Sequence, residues 1–103
     1  MRAETAFAIG VDLGATKIAA ALVSPQGQIV ASSQSPTLPA EGEEAVLGRI
    51  ATQVNALTAQ SPAAVAGVGI GSPGRVNPDE GIVHNAVNLG WEAVKLAEGV
   101  RSR

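Results

Sequence analysis

The chain has 103 residues, 46% apolar and 16% charged, and its 7 basic and 9 acidic side chains leave a net charge of −2. These proportions exclude a disordered tail, which needs fewer apolar residues and more charge, and they give no electrostatic reason to expect a nucleic acid or membrane surface as partner. The absence of cysteine excludes disulfide frameworks, thiolate metal cages and cysteine nucleophiles.

Asp12, Lys17, Gln26 and Glu41 interrupt the N-terminal half, so no apolar run reaches the roughly 20 residues that span a bilayer. The early Glu4 and the same interruptions do not fit a secretory leader, so a cytoplasmic protein with a small-molecule partner is expected. The length suits about one small domain. With Phe7 and Trp91 the only aromatic residues, the core must be built from Ala, Val, Ile and Leu.

From Ala6 to Asp12 a nearly continuous apolar run of strand length ends on a carboxylate, as suits a strand buried on both faces. The next four residues are too few for a crossover helix, and Lys17 to Val23 is a second apolar run, so the two strands should pair antiparallel. Ser24-Pro25-Gln26-Gly27 has Pro and Gly where a type I turn wants them, and Gln28 to Gln34 then reads as a third, more polar strand. A loop from Pro36 to Gly42 leads into an amphipathic helix, whose Val46, Leu47, Ile50, Val54 and Leu57 share one face. Glu41, Glu43 and Glu44 suit the helix start, and Ser61-Pro62 stops it.

Ala64 to Ile70 is apolar and short, predicting a fourth strand parallel to an earlier one and central in its sheet. A Gly- and Pro-rich loop from Gly71 to Gly81 follows, then a short strand Ile82 to His84, the segment Asn85 to Trp91, and a helix-like tail with Leu96, Ala97 and Val100 on one side. Gly99 weakens that tail by about 1 kcal/mol relative to Ala. The fold class expected is α/β: an antiparallel three-stranded meander, then a helix and a parallel strand.

Two segments could carry chemistry. In Asp12-Leu13-Gly14-Ala15-Thr16-Lys17, a tight turn between strands, Gly allows close backbone approach, turn amides can form an anion nest, Thr16 offers a hydroxyl and Lys17 a cation. Asp12 at the strand tip suits hydrated Mg²⁺, which takes one or two carboxylates plus waters and phosphates. The segment is not a Walker A loop, since a strand follows where that motif needs a helix. By itself it also reads as an ordinary polar hairpin turn.

Gly69 to Gly74 fits GxGxxG, but Pro73, Pro78 and Gly81 break the helix that a dinucleotide fingerprint must open. What remains is a Gly-rich strand-end loop with Arg75, Asn77 and Asn88 nearby, suited to a hydroxyl-rich ligand or simply a turn-rich connector. His84 reads as a structural histidine, Trp91 as a core anchor, and the three glutamates as helix-start charges.

Together the segments resemble the first half of the ribonuclease H-like ATPase domain shared by actin and hexokinase. Ile9 to Ile18 is similar to the N-terminal phosphate motif of the ROK family (repressors, open reading frames, sugar kinases). Gly67 to Val83 and Asn85 to Trp91 resemble two further blocks of that family, in order and with similar spacing.

The resemblance implies an ATP- and Mg²⁺-dependent sugar kinase, glucokinase-like, that transfers the γ-phosphoryl group to a hexose hydroxyl. It implies Asp12 near the metal and phosphates, with Gly14, Ala15, Thr16 and Lys17 lining the phosphate loop. Gly74, Arg75 and Asn88 are implied to face a hexose or hexosamine. Ala15 departs from the family's usual second glycine.

The resemblance also places the general base, an Asp following an Asn, beyond Arg103, together with the remaining sugar and zinc ligands. The chain is therefore expected to be the N-terminal part of one kinase domain and inactive alone. With its fourth strand left as an apolar edge, it is expected to form homo-oligomers. Two alternatives are the sugar-sensing segment of a ROK transcriptional repressor and a truncated, non-catalytic gene product.

Overall fold

The computed structural model describes residues 6–72, 75–77, 81–86, 91–95, 100 and 103, the strands after residue 72 by their backbone. The first three strands, β1 (Phe7–Leu13), β2 (Lys17–Val23) and β3 (Ile29–Pro36), form the expected antiparallel meander. β3 starts one residue later than its sequence suggests and runs on to Pro36, which pairs with Lys17. Proline is tolerated there because β3 lies at the outside of the sheet and, among the described residues, has no ladder partner beyond it. The β2–β3 connection closes through the Gly27 N–H donating to the Ser24 carbonyl at 2.9 Å and the Ser24 N–H donating to the Gln28 carbonyl at 2.8 Å. Gly27 has φ +84°, a left-handed value that favours glycine.

A 3₁₀ turn, Pro39–Glu41, precedes α1 (Glu43–Gln60), which buries Val46, Leu47, Ile50, Ala51 and Leu57 and partly buries Val54. The helix stops at Ser61, whose extended backbone (ψ 132°) is what the following Pro62 imposes. β4 (Val65–Gly71) then pairs parallel with β1, and the sheet order is β3-β2-β1-β4.

Alternation decides which side chains meet α1. Ile9, Val11 and Leu13 of β1 and Ile18, Ala20 and Leu22 of β2 are buried on the helix side. Gly10, Asp12, Lys17, Ala19 and Ala21 fall on the other face, where none is buried. Burying each of the larger aliphatic side chains contributes about 1.5–3 kcal/mol, and this single-sided aliphatic core ties α1 to the meander.

Gln53 is a polar exception inside that core, 6% exposed. Its amide nitrogen donates to the Ser35 hydroxyl at 2.9 Å and to the Ile18 carbonyl at 3.3 Å, and its oxygen accepts from the Ser33 hydroxyl at 2.7 Å. The helix is thereby pinned to β2 and β3 by a satisfied polar bridge as well as by packing.

Three expectations need correction. β1, expected to be buried on both faces, alternates and is buried only on the helix side, while β4 lies at the edge of the sheet that the described residues form, as expected for this chain. The connector from Gly71 to Gly81 contains a short strand, β5 (Arg75–Asn77), and the next strand, β6 (Ile82–Ala86), runs two residues past His84. Trp91 opens a further strand, β7 (Trp91–Lys95), so a second antiparallel sheet of order β5-β6-β7 stands where one short strand was foreseen. Pairing across the sheet, which local sequence does not display, stabilises these short elements. The tail positions Leu96 and Ala97 lie outside the described residues, while Val100 packs against the core. Among the described residues no helix is long and apolar enough to cross a membrane.

Candidate functional site

β1 and β4 run parallel and end together, with Asp12 in register with Gly71. Because β1 lies between β2 and β4, its carboxyl end is flanked by the β1–β2 turn on one side and by the carboxyl end of β4 on the other. The carboxyl ends of strands are where open α/β sheets bind ligands.

The β1–β2 turn at this edge is built by hydrogen bonds that occupy the carbonyls of Gly14, Thr16 and Lys17. The Gly14 N–H donates to the Lys17 carbonyl at 3.0 Å. The Thr37 hydroxyl donates to the Gly14 carbonyl at 2.7 Å, and the Thr37 N–H donates to the Thr16 carbonyl at 2.9 Å. Among the described residues the amides of Ala15 and Thr16 donate to no protein acceptor. Carbonyls tied back and successive amides left available are what a phosphate cradle requires.

Gly14 is needed here for room rather than for φ. A Cβ on it would lie 2.9 Å from the Lys17 carbonyl oxygen, closer than real Cβ atoms come. Ala15 has no such conflict, because it does not take a positive φ. Its methyl group therefore costs the turn no backbone strain.

Asp12 and Lys17 are exposed and alternate onto the face away from α1. Asp12 lines an open depression of about 400 Å³, with Gly10, Val11, Ala19, Ala20, Ala21, Ser32 and Gly69. Among the described residues, beyond each glycine's chain neighbours, nothing comes within 4 Å of the space that a Cβ on Gly10 or Gly69 would fill, so these glycines leave the floor low. Among the described residues no group of three His, Cys, Asp or Glu could hold a metal unaided. A lone carboxylate beside free turn amides fits Mg²⁺ that arrives with phosphates and keeps several waters, and does not fit a protein-only metal cage.

The residues expected to face a sugar are reached less directly. Arg75 opens β5 and is paired with His84 of β6. Gly74 and Asn88 lie outside the described residues, as do the side chains of His84 and Trp91. The structure thus brings Asp12, Gly14, Ala15, Thr16 and Lys17 together at one sheet edge, and a site joining them to Gly74, Arg75 and Asn88 stays an expectation of the sequence.

Sequence reasoning missed Thr37 and Arg49. Thr37 is fully buried behind the turn. The Arg49 guanidinium donates to its carbonyl at 2.7 Å and pairs with Glu41. The only sequence signal was a threonine in the loop after β3, and its partners lie 23 and 12 residues away.

A mixed sheet that opens with a tight strand-turn-strand hairpin and receives a parallel strand through α1 defines the actin/hexokinase-type ATPase fold. Within that class the chain belongs to the ROK family, whose sequence profile matches residues 8–103. It is 38% identical over 95 residues to a glucokinase from Streptomyces coelicolor, a match covering 92% of this chain and 29% of that protein. The crystal structure of a ROK family glucokinase from Streptomyces griseus in complex with glucose and AMPPNP superposes with a TM-score of 0.82 at 33% identity, over 94% of this chain and 30% of the other. A ROK family transcriptional regulator, a homolog of the E. coli MLC protein, shares the fold with a TM-score of 0.78 at 19% identity, over 95% of this chain and 25% of the other. The chain therefore spans about three tenths of the length of the glucokinases it matches.

Proposed function

We propose that these residues form the phosphate-binding N-terminal part of a cytoplasmic, ATP-dependent sugar kinase that transfers the γ-phosphoryl group to a hexose hydroxyl. The observation that carries this reading is the β1–β2 turn, with its Gly14, Thr16 and Lys17 carbonyls occupied and its Ala15 and Thr16 amides available among the described residues, beside Asp12 at the carboxyl ends of β1 and β4. The glucose and AMPPNP in the Streptomyces griseus relative support both the nucleotide and the sugar class.

In this reading ATP with Mg²⁺ supplies the transferable phosphoryl group and the charge neutralisation that such transfer needs. The Ala15 and Thr16 amides hold phosphate oxygens, Gly14 keeps the backbone close, and the Thr16 hydroxyl and Lys17 ammonium add a donor and a positive charge. The Asp12 carboxylate orients the hydrated cation. Arg75, with Gly74 and Asn88, faces the sugar. The base that takes the proton of the sugar hydroxyl lies outside residues 1–103, so this chain alone binds nucleotide without turning it over, and it self-associates through β4.

The likeness to the transcriptional regulator is one of fold and favours no separate reading. The gene product carrying these residues should phosphorylate glucose or a related hexose with ATP, and Asp12→Asn should abolish the reaction. Specific DNA binding without phosphoryl transfer would replace the kinase by a regulator.

A further inference from the structure

We propose that Thr37 is a positioning residue, which holds the β1–β2 turn in the shape that presents the Ala15 and Thr16 amides, and that Arg49 in turn holds Thr37. The role assigned to those amides rests on the phosphate-binding reading above, whereas the clamp itself rests on geometry alone.

Thr37 uses all its polar groups on this task. Its hydroxyl and N–H donate to the Gly14 and Thr16 carbonyls, on either side of Ala15, and its carbonyl accepts from Arg49. The residue is fully buried, so water does not replace a bond that is lost, and an unsatisfied buried carbonyl is costly. Were the Gly14 and Thr16 carbonyls released, either could swing toward the ligand side and present negative charge to an incoming phosphate. Arg49 comes from α1 and Glu41 from the 3₁₀ turn, so the clamp fastens the turn to the helix that the core already fixes. The next residue, Leu38, takes a left-handed conformation at φ 49°, which is costly for a side chain of its shape. The chain bends sharply straight after the residue that must face the turn.

The test uses the 103-residue chain, amide hydrogen exchange without ligand, and titration with MgATP. Thr37→Val keeps the shape and removes the hydroxyl, and Thr37→Ser restores it. The Gly14 amide reports the turn, because its N–H is bonded to Lys17, and the Ile50 amide in α1 reports the core. Thr37→Val should speed Gly14 exchange relative to Ile50, and weaken MgATP binding, each by about tenfold, with Thr37→Ser close to wild type in both. A residue that merely supports the fold would raise both exchange rates together, and that outcome, or wild-type affinity in Thr37→Val, overturns the proposal.

Should Thr37→Val fail to fold, Arg49→Met decides. A rise confined to Gly14 supports the clamp, and parallel rises at Gly14 and Ile50 overturn it. If the wild-type chain does not bind MgATP while Thr37→Val still loosens Gly14 selectively, the phosphate reading fails and the clamp stands.

Discussion

Gly14→Ala puts the geometry of the turn to a direct test. The added Cβ would sit 2.9 Å from the Lys17 carbonyl oxygen, and ordinary contact begins at 3.4 Å, so the turn must open by about 0.5 Å. The neighbour is backbone and cannot rotate away. Opening it lengthens the 3.0 Å bond from the Gly14 N–H to that same oxygen, which ends as a useful hydrogen bond. Losing one such bond costs about 1 kcal/mol net, and overpacking adds about 1–3 kcal/mol, so the variant should lose about 2–4 kcal/mol of stability. For a domain whose whole stability is about 5–15 kcal/mol, that loss is large. Urea denaturation measures it, and calorimetric titration of the folded fraction with MgATP should show affinity reduced more than tenfold, since one opening displaces both phosphate-facing amides. Stability within about 0.5 kcal/mol of wild type together with unchanged affinity would refute the reasoning.

Further predictions concern other parts of the chain. Ala15→Gly should lower stability by about 0.4–1 kcal/mol through the unfolded chain and leave MgATP affinity undiminished, as denaturation and titration would reveal. Gln53→Leu leaves Ser33, Ser35 and the Ile18 carbonyl without their shared partner and should cost about 1–3 kcal/mol in urea denaturation. Ile50→Ala, at 0% exposure in the middle of the core, should cost about 2–5 kcal/mol in the same assay. The apolar outer strand β4 should make the chain self-associate at micromolar concentration, and Val68→Lys, at a position 42% exposed, should shift sedimentation toward the monomer. A wild-type monomer would count against that edge as the contact.

Much of the first sheet was legible because its signals are local. The run from Lys17 to Val23 carries its own boundaries, a turn before it and Pro-Gly after it, and β2 has those limits. The α1 stripe from Val46 to Leu57 repeats at helical spacing, and packing follows that spacing. Gln53 shows where such reading stops. It occupies a core-facing position three residues after Ile50, yet a polar residue there looks like surface until Ser33 and Ser35 arrive from β3.

β7 was missed for a related reason, since Trp91 to Lys95 is too short to show a period and is defined by its register with β6. The one-sided burial of β1 was hidden as well: its nearly continuous apolar run suits cover on both faces, and among the described residues α1 covers one. The residues of the β1–β2 turn could be placed together in advance because the strand-turn-strand motif lies within one short segment. Thr37 and Arg49 could not, because their part in the turn depends on contacts 23 and 12 residues distant.

The central claim is that the β1–β2 turn binds nucleotide phosphates through its open amides, and titration of the ¹⁵N-labelled chain with MgATP tests it most directly. The account predicts saturable shifts of the Ala15 and Thr16 amide resonances, weakened in Asp12→Asn. Shifts confined to residues away from the turn, or none at millimolar MgATP, would contradict it.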